Sequence, residues 1–364
     1  MRNHSCAFLL LIAGLLGAPT ALAEEAMRRP VEAPYPIAVG LTSEVLDELI
    51  AQELQTESSA PLSDDQFLRR ASLDLIGRQP TPEEADAFLA DESPDRRSRL
   101  IEALLASPEF GTNWANYWSD TISYRTPPPE LTFLDYGPFE DWLAGKLNDN
   151  TPWNEIVAEI LTGTGKVRDA PQATFVAYHG ANPVRLASET ARIFLSVQIQ
   201  CAHCHDHPFE PWKREQFHQL AAFFARAKVK FPWNDGLETE IKEKEKGEYS
   251  MPNVEDPSQK GTVMDPFFLT GSSIEPGQGD AQRRRNLASF VTGSDNPWFA
   301  KSYVNRIWAR LMGQAFAEPV DDLSEQLAPR NLPDVHDTLS QWFVLADYDV
   351  KGFCRLVMNT EAYQ

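Results

Sequence analysis

From Leu41 to about Arg226, apolar side chains recur every three or four positions, the period of helices that turn one face to a core. Val45, Leu46, Leu49, Ile50 and Leu54 share one such face. Phe67, Leu68, Ala71, Leu75 and Ile76 share the next, with Ser63 placed to cap that helix and Gly77 to end it. Thr81-Pro82-Glu83-Glu84 supplies a capping hydroxyl, a first-turn proline and acids at the positive end of the helix dipole. Ser93-Pro94-Asp95 repeats that arrangement ahead of Leu100, Ile101, Leu104 and Leu105. Trp114, Tyr117 and Trp118 follow at helical spacing and read as core. Pro127-Pro128-Pro129 breaks the pattern, which resumes over Phe139–Leu147 and Trp153–Leu161. Val184–Gln200 predicts a long helix delivering the chain to Cys201, and Phe217, Leu220, Ala221 and Phe224 mark another.

The period changes over 228–282. Of the 52 residues 228–279, 11 are Gly or Pro, which predicts turns and short strands instead of helices. Val229–Trp233, Glu248–Met251 and Thr262–Leu269 have extended character, and the charge run Glu240–Glu248 reads as a solvated tip. Helical spacing returns at Arg283: Asn296-Pro297-Trp298 opens a helix carrying Ala300, Val304, Ile307, Trp308 and Leu311, and Val335–Leu345 and Val350–Met358 supply two more. The expected fold is mainly α, with two helical lobes (41–227 and 283–364) and a small β insertion or ordered linker (228–282) between them.

Residues 1–23 carry Arg2, the apolar run Ala7–Leu16 and the small-x-small site Ala21-Leu22-Ala23, the pattern of a secretory signal peptide. Residues 24–40 read as a flexible lead-in. The chain is therefore expected to be exported to the periplasm or an equivalent compartment. No other apolar stretch approaches membrane length, so no membrane span is expected once the signal is removed. The formal charge is −20, and loss of 1–23, with one Arg and no acid, makes it −21. Such acidity disfavours nucleic acid and anionic lipid and suits a positively charged protein partner. The cluster Arg283-Arg284-Arg285 reads as a solvated helix start or an ion-pair cluster.

Cys201-Ala202-His203-Cys204-His205 is the most specific chemical signal. With 4 Cys and 7 His in 364 residues, chance yields only about 0.001 matches to Cys-x-x-Cys-His. That spacing lets two thiols add across the vinyl groups of haem c while the adjacent imidazole ligates the iron. Cys201, Cys204 and His205 are thus the candidate cofactor residues, His205 as the proximal iron ligand. His207 sits too close along the chain, beside Pro208, to cross to the opposite haem face, and His203 is expected to point outward. Distant sixth ligands are His179, His218, His336, Met251, Met264 and Met312. Two other readings stay open. One is a zinc or iron centre built from Cys201, Cys204, His205 and His207, with His218 and His179 as helpers and Asp206 or Glu210 nearby. It implies a metal-dependent enzyme acting on extracellular polymers. The other is a Cys201–Cys204 disulfide in a non-enzymatic interaction module.

Weaker signals resolve to structure. Gly163-Thr164-Gly165-Lys166 lacks the strand and full spacing of a phosphate loop and reads as a helix C-cap. Asp321-Asp322 reads as a turn or cap, Cys354 as a buried thiol, and Trp212 and Pro208-Phe209 as packing beside the motif, able to shield a haem edge. No Gly-x-Ser-x-Gly phrase occurs.

Several phrases together resemble a known family: Arg69-Arg70-Ala71-Ser72-Leu73-Asp74-Leu75-Ile76-Gly77, Pro80-Thr81-Pro82-Glu83-Glu84, and Cys201 through Trp212. Further on come Asp295-Asn296-Pro297-Trp298-Phe299-Ala300, Val304-Asn305-Arg306-Ile307-Trp308 and Glu318-Pro319-Val320-Asp321-Asp322. The chain resembles the exported planctomycete "cytochrome C" type two domain followed by its planctomycete-specific C-terminal companion domain. The resemblance spans about 41–364 and implies no defined activity, because the family is named for its Cys-x-x-Cys-His. The companion domain commonly runs on past the phrase matching Asn359–Gln364, so 283–364 is expected to be an incomplete copy. The leading functional expectation is a monohaem c-type electron-transfer protein with a protein redox partner.

Overall fold

Several helices begin where a side chain satisfies the first free backbone amides. The computed structural model describes residues 38–55, 60–123, 134–232, 235–324 and 330–364. The expected signal peptide, nearly all of the expected lead-in, the Pro127–Pro129 break and the far end of the expected Val229–Trp233 strand lie outside these residues. Helix α1 is Ser43–Leu54, and α2 is Asp64–Ile76, entered with Ser63 N–H donating to Gln66 Oε1 at 3.2 Å and ended by Gly77 at φ 71°. Helix α3, Pro82–Leu89, opens on a reciprocal pair: Thr81 N–H to Glu84 Oε2 at 2.8 Å and Glu84 N–H to Thr81 Oγ1 at 3.2 Å. Helix α4 is Arg96–Ala106, two residues later than Pro94 suggests. The Ser93 hydroxyl donates to Asp91 Oδ1 at 2.6 Å and so does not cap the helix.

The chain continues through α5 (Pro108–Ser123), α6 (Gly137–Asn148), α7 (Trp153–Thr162), strand β1 (Gly165–Lys166), α8 (Thr174–Tyr178) and α9 (Pro183–Leu195). Then come α10 (Arg214–Ala222), β2 (Ala227–Lys230), β3 (Glu240–Glu243), β4 (Tyr249–Met251) and β5 (Thr262–Met264). Helices α11 (Asp280–Thr292), α12 (Phe299–Met312), α13 (Pro333–Leu345) and α14 (Val350–Met358) complete it. The class is mainly α with a small β insertion, fourteen α-helices against short two- and three-stranded sheets among the described residues.

The two helical stretches meet across one continuous core. Helix α11 packs on α7, α12 on α9, α13 on α1 and α14 on α4. At the centre, rings from four helices lie against one another: Trp118 to Trp153 at 4.2 Å, Trp153 to Tyr303 at 5.3 Å, and Tyr303 to Phe343 at 4.4 Å. Burying a side chain such as Phe343 contributes about 1.5–3 kcal/mol, and each ring pair adds about 0.5–1.5 kcal/mol. Cys354 is buried in the same core, as its apolar run predicts.

The insertion differs from expectation in one respect. Glu240–Glu243 is not a solvated tip but the central strand of an antiparallel sheet ordered β1-β3-β2. Ile241 faces inward, Glu243 accepts the Asp280 amide at the start of α11, and Glu248 pairs with Arg226 at 2.7 Å and Arg283 at 2.6 Å. Glu243 and Glu248 of this run are thus held by fixed partners, while Glu245 and Lys246 stay exposed as the expected tip. Arg283 and Arg284 are buried, and the ion-pair reading of their cluster holds. Arg284 meets Asp280 at 2.7 Å and donates to the Leu161 and Gly163 carbonyls at 3.1 and 2.8 Å, neutralising the negative end of α7. Gly163 does cap α7, and Gly165–Lys166 goes on to pair with β3.

Candidate functional site

The approach to Cys201 is not one long helix. Helix α9 stops at Leu195 because Ser196 turns to φ 50° and Val197 N–H reaches back to the Ala191 carbonyl at 3.0 Å. Tertiary bonds fix that stop: Ser196 Oγ lies 2.7 Å from Ser302 Oγ and 3.1 Å from the Val320 carbonyl. A single 3-10 turn, Gln200–His203, then carries the motif. Its anchor is Ala202, fully buried, whose N–H bonds the Ile199 carbonyl at 2.9 Å. Cys201 and Cys204 on either side are exposed free thiols.

The far side of the turn is pinned to α10. Asp206 Oδ1 accepts the Arg214 amide at 2.9 Å and Oδ2 accepts Lys213 Nζ at 3.0 Å, which hold its carboxyl below the usual range. His218, fully buried on α10, donates from Nε2 to the His203 carbonyl at 3.0 Å, and its Nδ1 accepts from the Tyr249 hydroxyl at 2.8 Å. A carbonyl can only accept, so this tautomer is fixed. Burial pushes the His218 pKa down to about 4. Arg214 Nε also reaches the His203 carbonyl, at 3.4 Å. His203 itself does not point outward. Its half-buried ring packs on Phe217 at 5.4 Å and His218 at 5.5 Å, with Nδ1 3.7 Å from Cys204 Sγ, and burial and then Arg214 lower its pKa.

The same donor–acceptor logic sorts the candidate ligands. His207 Nδ1 accepts the Glu210 amide at 2.9 Å and the Phe209 amide at 3.3 Å, so its proton is on Nε2. His218 has both nitrogens engaged. His179 belongs to another neighbourhood, between the Phe175 and Tyr178 rings at 4.9 and 5.2 Å; it bonds the Ile122 backbone, and burial takes its pKa down to about 3. His336 is buried against Phe316 at 4.7 Å and bonded to the Lys301 carbonyl at 3.1 Å. His205 is different. Its exposed ring lies with Nδ1 2.7 Å from the Asp206 carbonyl, so Nδ1 carries a proton and the neutral ring has its lone pair on Nε2. Among the described residues, no three His, Cys, Asp or Glu side chains converge as a chelate. Of the set Cys201, Cys204, His205, His207, His218 and His179, His179 lies among other rings and His218 has both ring nitrogens hydrogen-bonded.

Two exposed thiols flank a buried anchor and an exposed imidazole follows, the donor types that covalent haem attachment uses. Of the flanking aromatics, Phe209 projects outward with 68% of its surface exposed, while Trp212 is buried against Trp298 at 5.7 Å and fills core. Sequence reasoning missed Arg214 and Tyr249. Arg214 opens a helix and looks like a surface charge, and Tyr249 comes from a strand 31 residues beyond His218.

The fold and site define a mainly helical protein with a surface Cys-x-x-Cys-His turn braced by a buried histidine. Residues 45–229 match the family PSCyt2, described as a protein of unknown function (DUF1549), and residues 283–364 match PSD1, a protein of unknown function (DUF1553). The chain belongs to the PSCyt2 family, with a PSD1 segment following in order. No curated protein and no solved structure matches it.

Proposed function

We propose that the chain is an exported monohaem c-type redox protein. The observation that carries this reading is the His205 ring: its Nδ1 proton is committed to the Asp206 carbonyl at 2.7 Å, leaving the lone pair of the neutral ring on Nε2, beside two free exposed thiols. Haem, when bound, supplies one-electron exchange at its iron. Cys201 and Cys204 would hold it through thioether bonds and His205 would ligate it. The other residues position these three. Ala202 roots the turn, His218 and Arg214 fix the His203 carbonyl, and Asp206 ties the segment after Cys204 to α10. The acidic surface favours a basic protein as redox partner.

The test is expression of the full chain with a cytochrome c maturation system. The expected result is a Soret band and a polypeptide mass increased by one haem, both lost in Cys201→Ser/Cys204→Ser. A bare polypeptide mass without a Soret band rejects the reading. The 3.7 Å approach of His203 Nδ1 to Cys204 Sγ favours one alternative, a reversible Cys201–Cys204 dithiol. The same mass measurement would then find a loss of two hydrogens.

A further inference from the structure

Away from the motif, helices α5, α9 and α12 meet around a buried arginine, Arg306, whose side-on edge has no hydrogen-bond partner among the described residues. Arg306 on α12 is 5% exposed, and its Nε and Nη2 have no hydrogen-bond partner. These two nitrogens form the side-on fork of the guanidinium, the edge that grips a carboxylate with two parallel N–H bonds. The carboxylate of Glu189 on α9, which packs on α12, and that of Asp321 are both held by Arg192, at 2.6 and 3.0 Å. The Trp118 ring lies 5.9 Å from the Arg306 guanidinium, and the Trp118 indole N–H is likewise buried without a partner. Half-buried Tyr117 stands next to it, with exposed Arg310 over its ring at 5.6 Å. Arg306 and Arg310 both act on the Tyr117 hydroxyl, against the larger opposing effect of burial.

The chemistry of this junction is one-sided. Arg306 Nε and Nη2 and Trp118 Nε1 are donors only, and among the described residues no carboxylate pairs with the buried Arg306 cation. A water molecule could accept hydrogen bonds there but would not neutralise the guanidinium, whose desolvation is costly. An occupant that only accepts and carries one negative charge satisfies both demands. A phosphate dianion would leave a surplus charge beside a single buried guanidinium. We infer that Arg306, Trp118 and Tyr117 form a binding site for a small carboxylate, entered past Arg310. The carboxylate lies in the Arg306 fork with an indole N–H beside it and an aromatic wall behind. This site uses none of the residues of the Cys201–His205 turn, so it stands or falls independently of the redox reading.

The experiment titrates the full chain with sodium acetate against sodium chloride at constant ionic strength, reading the thermal midpoint. In parallel, the arginine Nε–H resonances of 15N-labelled protein are followed. The expected result is a saturable rise in midpoint and a shift of one buried Nε–H resonance with acetate, neither with chloride. Arg306→Lys keeps the charge but removes the fork, and should weaken acetate at least tenfold with the helical circular dichroism intact. Should that variant not fold, the wild-type Nε–H titration decides alone. Superimposable acetate and chloride curves with no resonance shift overturn the site. Tighter binding of inorganic phosphate than of acetate overturns its assignment to a carboxylate.

Discussion

Replacing His218 with Phe tests whether a neutral buried imidazole braces the motif turn. Phe keeps the ring that stacks on Tyr249 at 5.6 Å and meets Phe217 at 5.3 Å, but loses both hydrogen bonds. At pH 7.5 the His203 carbonyl and Tyr249 hydroxyl lose a partner each, which costs about 1–3 kcal/mol. Acid has the opposite effect on the difference. His218 titrates near 6.5 when unfolded and at about 4 when folded, because burial disfavours its charged form. Above pH 6.5 the group is neutral in both states and costs nothing. As pH falls from 6.5 toward 4, the unfolded chain takes up a proton that the folded chain refuses, so stability drops. A displacement of this size corresponds to about 3 kcal/mol. Phe cannot take up that proton. The variant should be less stable than wild type at pH 7.5 and equal to it, or more stable, near pH 4. Urea unfolding followed by tryptophan fluorescence from pH 8 to pH 4 measures both curves. Parallel curves, separated by the same free energy throughout, would refute a neutral buried His218.

Other outcomes follow from single contacts. Gly111→Ala would drive a Cβ into the Ala144 carbonyl oxygen where α5 crosses α6, and should cost about 3 kcal/mol in urea unfolding. Asp280→Ala strands Arg284 at zero exposure and should cost about 3–5 kcal/mol, while Glu102→Ala, which breaks an exposed pair with Arg355, should cost under about 1 kcal/mol. In haem-free, reduced protein, iodoacetamide followed by peptide mass mapping should label Cys201 and Cys204 quickly. Cys354, buried with its thiol pushed up to about 12, should label only after unfolding.

Helices were legible because their signals are local. The Thr81/Glu84 pair and Gly77 are each decided within four residues, and the structure realises both. The misreadings occur where distant partners decide. Nothing near Ser196 says that Ser302 and Val320 will hold it in a left-handed turn and stop α9. Within the run Glu240–Glu248, Glu243 and Glu248 look solvated until Asp280, Arg226 and Arg283 arrive from elsewhere. At the site, the motif named Cys201, Cys204 and His205 by spacing alone. The tautomer of His205 and the brace from His218 and Tyr249 depend on tertiary geometry that spacing does not encode.

The placement of β3 has a mechanical consequence. It bridges Gly165–Lys166 from the first helical stretch and Ala227–Lys230, while its Glu243 side chain seizes the opening amide of α11. A short excursion of chain thus works as a buckle fastened to both neighbours. A protease nick among the exposed residues near Asp256 would sever the covalent path yet leave both pieces clasped, parting only when the folded body melts.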